Sequence, residues 1–179
     1  RVCATGLWNS AGVPANLRDI AVNAILTSSG DAGAGALGGY AVSSLAMPSG
    51  SVCLTATYHD GYSFRSLMPF GKAFALEPQT VSGYPAVRTA QGAVRGLVTG
   101  RLSRVIGDDG APTDDAYAAS AVYYDNLGRA VQVHVCEALG GETHSFTAFS
   151  LDGRPEKSLV RASGIDSGTE EAATVYAYD

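Results

Sequence analysis

Short runs of alternating apolar and polar residues, separated by turns rich in glycine and proline, dominate the chain. The clearest run is 130–136, where valines alternate with Gln132, His134 and Cys136. A period of two is typical of a β-strand with one face buried. We therefore expect the valines to face the core, and His134 to be either exposed or paired with a neighbour on the adjacent strand.

Residues 117–138 form the strongest predicted unit, a β-hairpin. Its turn is Asp125-Asn126-Leu127-Gly128. An aspartate at the first turn position bonds backbone two residues on, and a glycine at the fourth position tolerates the positive φ of a bulged loop. A second hairpin is predicted around Leu151-Asp152-Gly153, since Asp-Gly is a strong hairpin signal.

The whole pattern predicts an all-β protein of antiparallel hairpins arranged as a meander, with little or no helix. Further strands are expected at 1–7, 51–58, 97–106, 144–150, 154–160 and 172–178. Residues 17–28 fit either a helix or a strand, and their glycine- and serine-rich flanks favour the strand. We expect one continuous domain with an N-terminal β region (1–65), an irregular surface connection (66–95) and a hairpin region (96–179).

Composition narrows the class of protein. Of the 179 residues, 46% are hydrophobic, which excludes a disordered chain. The net charge is −5 and no block of Lys or Arg exists, so nucleic-acid binding is not expected. No run approaches the roughly 20 apolar residues of a membrane span. Because the chain opens Arg1-Val2-Cys3 without Met, we expect a mature product or an excised fragment.

Five sets of residues are candidates for chemistry. Gly33–Gly38 is a formal GxGxxG followed by Asp60, but a poor helix candidate follows it, so a loop is favoured over a dinucleotide site. The acidic loop 107–115 lacks the ligand spacing of a calcium loop. The three histidines show no metal-ligand spacing, and the three cysteines are expected to be buried thiols rather than a disulfide with one cysteine left over. Tyrosines that suit either sheet stabilisation or a sugar-binding platform lie at 58, 62, 123, 124, 176 and 178.

A degenerate repeat runs through the C-terminal half. Asp125, Asp152 and Asp179 are 27 residues apart (152 − 125 and 179 − 152), and Gly-Arg pairs follow the first two. The segment Tyr124-Asp125-Asn126-Leu127-Gly128-Arg129 resembles the YD-repeat motif of RHS proteins. The resemblance extends to 58–64 and 95–100, which are similar to segments preceding such repeats in large RHS proteins of Bacteroides-like bacteria.

This resemblance implies a fold and a role. The fold is a YD-repeat type of β-hairpin array, and the role is that of a structural, non-catalytic segment without cofactor or metal in a large secreted or cell-surface protein. Its partners would be neighbouring repeats of the same parent chain, with a glycan or a C-terminal toxin domain as further candidates. The repeat residues are Tyr124, Asp125, Gly128, Arg129, Asp152, Gly153 and Arg154. The rival hypotheses are a carbohydrate-binding β module and, less favoured, a nucleotide-cofactor enzyme.

Overall fold

A single antiparallel sheet organises the molecule in the computed structural model. The structure describes residues 4–8, 22–24, 51–67, 76–90, 93–107, 112–138, 140–164 and 168–178. Within these ranges the strands are β1 (Ala4–Trp8), β2 (Val22–Ala24), β3 (Ser51–His59), β4 (Val98–Ile106), β5 (Pro112–Tyr124), β6 (Ala130–Cys136), β7 (Glu142–Phe149), β8 (Pro155–Ser163) and β9 (Thr169–Val175). A short 3-10 helix spans Ser63–Leu67. The all-β prediction is confirmed.

The strand order is β2-β1-β3-β4-β5-β6-β7-β8-β9, with every neighbouring pair antiparallel. From β3 onward the sheet is a simple meander, because each strand pairs with the next one in sequence. Residues 22–24 are a strand, and the rest of 17–28 lies outside the described residues, as does the glycine motif 33–38. Pro112 begins β5, so 112–115 are strand and not part of the predicted acidic loop, whose residues 108–111 lie outside the described ranges.

One face of the sheet, here called the covered face, carries the core. Register places Gln132 opposite both Tyr123 and Phe146, and His134 opposite both Ala121 and His144. Side chains that share this face and are less than one-tenth exposed are Ala56, Tyr58, Leu102, Ala119, Ala121, Tyr123, Gln132, His134, Cys136, Phe146, Ala148 and Leu159. Over them lie the 3-10 helix and residues 76–90, here called the cover segment. Leu76 of this segment is completely buried.

The prediction that the valines of β6 are buried holds for Val131, which is 1% exposed, and is wrong for Val133 and Val135, which are half-buried. Gln132, His134 and Cys136, which were expected on the polar face, are all at most 2% exposed. The period of two is correct, but the cover segment packs on the face that carries the polar residues. Region 66–95 is therefore not a surface excursion alone, since Leu76 and Val94 in it belong to the core.

Aromatic stacking fixes the 3-10 helix against the sheet. The rings of Tyr58 and Phe64 stack with centroids 4.4 Å apart, and those of Tyr62 and Tyr123 stack at 4.6 Å. Phe64 lies over Gly100, where an added Cβ would meet both its ring and the Ser120 carbonyl oxygen. Gly100 is thus the position on β4 that lets the aromatic ring reach the sheet.

Candidate functional site

The two hairpins that the sequence predicts end in turns with the same backbone closure. Asp125 N–H donates to the Arg129 carbonyl at 3.0 Å, and Gly128 N–H donates to the Asp125 carbonyl at 3.2 Å. In the next turn Ser150 N–H donates to Arg154 at 2.9 Å, and Gly153 N–H donates to Ser150 at 3.1 Å. Gly128 and Gly153 have φ of +76° and +87°, as a bulged turn requires.

This closure changes the alignment of the repeat. Ser150, and not Asp152, takes the position of Asp125, so equivalent positions are 25 residues apart (150 − 125) rather than 27. Each closure follows a register shift one residue earlier, between Tyr123 and Tyr124 and between Ala148 and Phe149. Phe149-Ser150 is therefore the structural counterpart of Tyr124-Asp125, and the signal that sequence reasoning missed is the constant spacing to Gly-Arg.

The turn between β6 and β7 closes in the same way, since Glu137 N–H donates to the Gly141 carbonyl at 2.7 Å and Gly140 N–H donates to the Glu137 carbonyl at 3.1 Å. A further turn, here called the third turn, joins β3 to β4 and shares the first of these two hydrogen bonds. Asp60 N–H donates to the Leu97 carbonyl at 3.3 Å, after a register shift between Tyr58 and His59. Gly96 precedes the accepting residue and has φ of +85°, as Gly128 and Gly153 do in the other turns. The two segments that carried the extended family resemblance, 58–64 and 95–100, thus meet as the two sides of one turn.

The third turn differs in its length. Between the capping residue and the glycine it holds 35 residues (61–95; 95 − 61 + 1), where the other two turns hold two each. The described parts of this insertion include the 3-10 helix and the cover segment. The covered face is therefore filled by an expanded turn of the same hairpin type.

Side chains cap each turn. The Asp125 carboxylate, 5% exposed, accepts from the amides of Leu127 at 2.8 Å and Arg129 at 3.0 Å, and from Arg129 Nε at 2.7 Å. Ser150 Oγ accepts from the Arg154 amide at 3.1 Å, and the Asp60 carboxylate accepts from the Gly96 amide at 2.5 Å. In all three turns the residue before the loop holds the backbone that closes it.

These contacts lower the pKa values of Asp125 and Asp152. Burial acts to raise the pKa of Asp125, but the hydrogen bonds from Arg129 and Leu127 and the charge of Arg129 outweigh it and hold the pKa below its ordinary value. The Ser150 hydroxyl beside the exposed Asp152 lowers the pKa of that carboxyl. Asp152 also pairs with Arg154 at 3.1 Å, with both side chains more than half exposed. Asp152 thus lies on the exposed side of its turn, whereas Asp125 is nearly buried within its own.

The arginines link each turn to the following strand connection. Arg129 Nη1 donates to the Ser150 carbonyl at 2.9 Å, and its guanidinium lies 5.0 Å from the centre of the Phe149 ring. Arg154 lies in the same way over Tyr178, at 5.4 Å. Each arginine therefore contacts an aromatic side chain at or just beyond the end of the second strand that follows it, β7 for Arg129 and β9 for Arg154, which ties neighbouring hairpins together.

Polar side chains join the cover segment to the sheet. Gln79 and Gln132 exchange two hydrogen bonds, from the Gln79 amide at 3.1 Å and to the Gln79 carbonyl at 2.8 Å. Tyr123 donates to the Leu76 carbonyl, and Arg65 contacts both Tyr123 and Glu77. Burial is the main cause that raises the pKa of Tyr123 to about 12 and that of Tyr62 still higher. These residues fasten a loop to a sheet.

The residues predicted as candidate metal or sugar-binding sites can be located in the structure. Among the described residues no group of three or more His, Cys, Asp or Glu is placed to hold a metal ion, and no helix there has the length and apolar character to cross a membrane. The six tyrosines do not form one exposed platform, because Tyr58, Tyr62 and Tyr123 are buried in the core. Tyr176 and Tyr178 are exposed, and Tyr178 donates to the Pro155 carbonyl at 2.7 Å.

Comparison with known proteins adds no relative. The chain matches no protein-family model, no curated protein and no solved structure.

Proposed function

We propose that this chain is a non-catalytic structural segment of a large secreted or cell-surface protein of the RHS type, in which repeated β-hairpins build an extended sheet. The observation that carries the proposal is that the turns at Asp125 and Ser150 share a backbone closure, a capping side chain and a Gly-Arg pair. The turn at Glu137 has the same backbone closure but ends in Gly140-Gly141, and the turn at Asp60 shares one of its hydrogen bonds. Repeated units that each bury little alone gain stability from stacking on their neighbours. The arginine contacts from one turn to the next are the kind of link that such an array needs.

The distribution of chemistry supports a structural role. The side chains with the most specific geometry, Asp125 and Arg129, use their polar groups on backbone of their own or the adjacent turn. The buried Gln132 side chain uses its polar atoms on the backbone of the half-buried Gln79. A catalytic group must instead present a lone pair or a proton to a substrate.

Two experiments test the proposal. The first is to sequence the gene on both sides of this segment. We expect further hairpins in which an aromatic residue and Asp or Ser precede Gly-Arg, and unrelated domains on both sides would refute the array. The second is protease treatment of intact source cells, followed by detection with an antibody against this segment. Loss of the signal is expected for a surface protein, and protection in intact but not lysed cells would refute that location.

A glycan array with the purified chain tests the carbohydrate-binding alternative. Tyr176→Ala and Tyr178→Ala provide matched variants, since these are the exposed members of the tyrosine set. The structural proposal expects no glycan to bind above background. Binding that both variants abolish would replace it with the carbohydrate-binding function.

A further inference from the structure

The face of the sheet opposite the covered face, here called the open face, presents two central rows of uncharged side chains. They form rows because the register places each residue opposite one on the next strand. The 3-10 helix and the cover segment make their contacts on the other face. The first row consists of Ser120, Val135, Thr143 and Ala162, and the second of Val122, Val133, Ser145 and Val160. All are half-buried or exposed, and a sheet face with this apolar content normally packs against a second layer.

The first row ends in opposite charges. Arg101 continues it on β4 and Glu170 continues it on β9, and both side chains are exposed. Within the described part of the chain, neither forms an ion pair with a residue of opposite charge. Glu171, the next residue on β9, lies on the covered face and pairs with Arg161 at 2.6 Å. The open face thus carries one positive and one negative charge at its two borders, with uncharged side chains between them.

This row is complementary to itself under a two-fold axis. If the axis runs parallel to the strands, between β6 and β7, a second copy faces the first with its strand order reversed, so that β4 lies over β9. Arg101 then meets Glu170 of the second copy at both borders, and the rows between them bring no like charges together. The same rotation maps the twist of one sheet onto that of the other, so the two saddle-shaped faces keep a constant separation.

We propose that the open face binds a second copy of this chain, sheet against sheet, with Arg101 of each copy paired with Glu170 of the other. Six strands about 4.8 Å apart, aligned over about six residues of 3.4 Å each, form a face of about 600 Å². Two such faces bury about 1,200 Å² in total, which is the lower end of the range for specific interfaces. This dimer is independent of the RHS proposal, because it rests on the register of this sheet alone.

Sedimentation velocity of the purified chain tests the dimer. A reductant is present throughout, so that cross-links between cysteines do not contribute. An interface of this size predicts a reversible monomer–dimer equilibrium with a Kd between about 1 and about 100 μM, within a loading range of about 1 to 300 μM. Higher salt should raise the Kd, because it screens the two border ion pairs. A chain that stays monomeric over the whole loading range would overturn the proposal.

Charge reversal identifies the surface. Arg101→Glu and Glu170→Arg should each raise the Kd about tenfold, because like charges then meet at both borders. The double variant restores opposite charges and should return the Kd to within about threefold of the wild-type value.

Glu171→Arg is the matched control, since it makes the same charge change on the covered face and should leave the Kd unchanged. Val133→Lys, in the second row and close to the axis, should prevent dimerisation without relying on the border charges. Circular dichroism checks that each variant keeps its strands. Single charge variants with an unchanged Kd, or a double variant without recovery, would overturn the proposal and point instead to pairing through the edge of β9.

Discussion

Asp125 offers the sharpest test of the turn geometry. Its nearly buried carboxylate accepts three hydrogen bonds, two from backbone amides and one from the Arg129 guanidinium. Hydrogen bonds to a charged group contribute about 1.5–3 kcal/mol each, but the freed amides of this turn regain water in the variant. We therefore expect Asp125→Ala to lower the free energy of unfolding by about 2–3 kcal/mol in total. For a chain of this length, that lowers Tm by about 5–10 °C.

Chemical unfolding in urea at neutral pH, followed by far-ultraviolet circular dichroism, measures the loss. Asp125→Ser should lose less than Asp125→Ala, because Ser150 performs the same capping role in the next turn. Asp152→Ala is the matched control: its side chain is 59% exposed, so the midpoint should not move. Equal midpoints for the Asp125→Ala and Asp152→Ala variants would refute the assignment of Asp125 as the buried side chain that caps its turn.

Acid adds an independent check on the same residue. The folded protein holds the pKa of Asp125 below its ordinary value, so its stabilisation is complete above the unfolded value of about 3.9. It is lost as the pH falls through the folded pKa. The stability difference between wild type and Asp125→Asn should therefore shrink in that acid range, and a difference that stays constant there would contradict the carboxylate's role.

Three further outcomes are expected. Gly128→Val should lower stability by about 1–3 kcal/mol because of its positive φ, while Gly61→Val, where no positive φ is required and no atom lies within 4 Å of an added Cβ, should change little in the same urea titration. Gly100→Ala should cost about 1–3 kcal/mol by displacing the ring of Phe64, and an unchanged midpoint would contradict that contact. Ultraviolet titration should detect Tyr123 ionising near its pKa of about 12, with the stability from this group present below pH about 10 and lost as the pH rises through about 12, and Tyr123→Phe should remove that transition.

The strands were largely predictable because local pattern determines them. Alternation and turn chemistry placed the hairpin 117–138 and the strand at 51–58 close to their positions in the sheet. These signals need only a few neighbouring residues. Most strand ends moved by one to three residues, as at Phe149, whereas β5 begins at Pro112, five residues before the predicted hairpin (117 − 112).

Local pattern did not predict which face of the sheet is buried or which residues of the two turns are equivalent. Nothing within β6 indicates that the polar side would be covered, since the covering residues come from the turn between β3 and β4, over 40 residues earlier (132 − 90). The 27-residue spacing was counted from Asp125 to Asp152, because aspartate is the residue type that both turns contain. The hydrogen bonds instead select Ser150, because a hydroxyl meets the same backbone amide as a carboxylate.

The 35 residues between Asp60 and Gly96 have a consequence for how such proteins diversify. Closing a loop of 35 rather than two residues costs only about 2.5 kcal/mol of chain entropy, and contacts such as Tyr62 on Tyr123 offset it. The long turn keeps the hydrogen bond from the Asp60 amide to the Leu97 carbonyl, while the Gly96 amide donates to the Asp60 carboxylate. The corresponding points, between Asn126 and Leu127 and between Leu151 and Asp152, are thus natural grafting sites, where evolution or an engineer can add a whole new segment and leave the sheet intact.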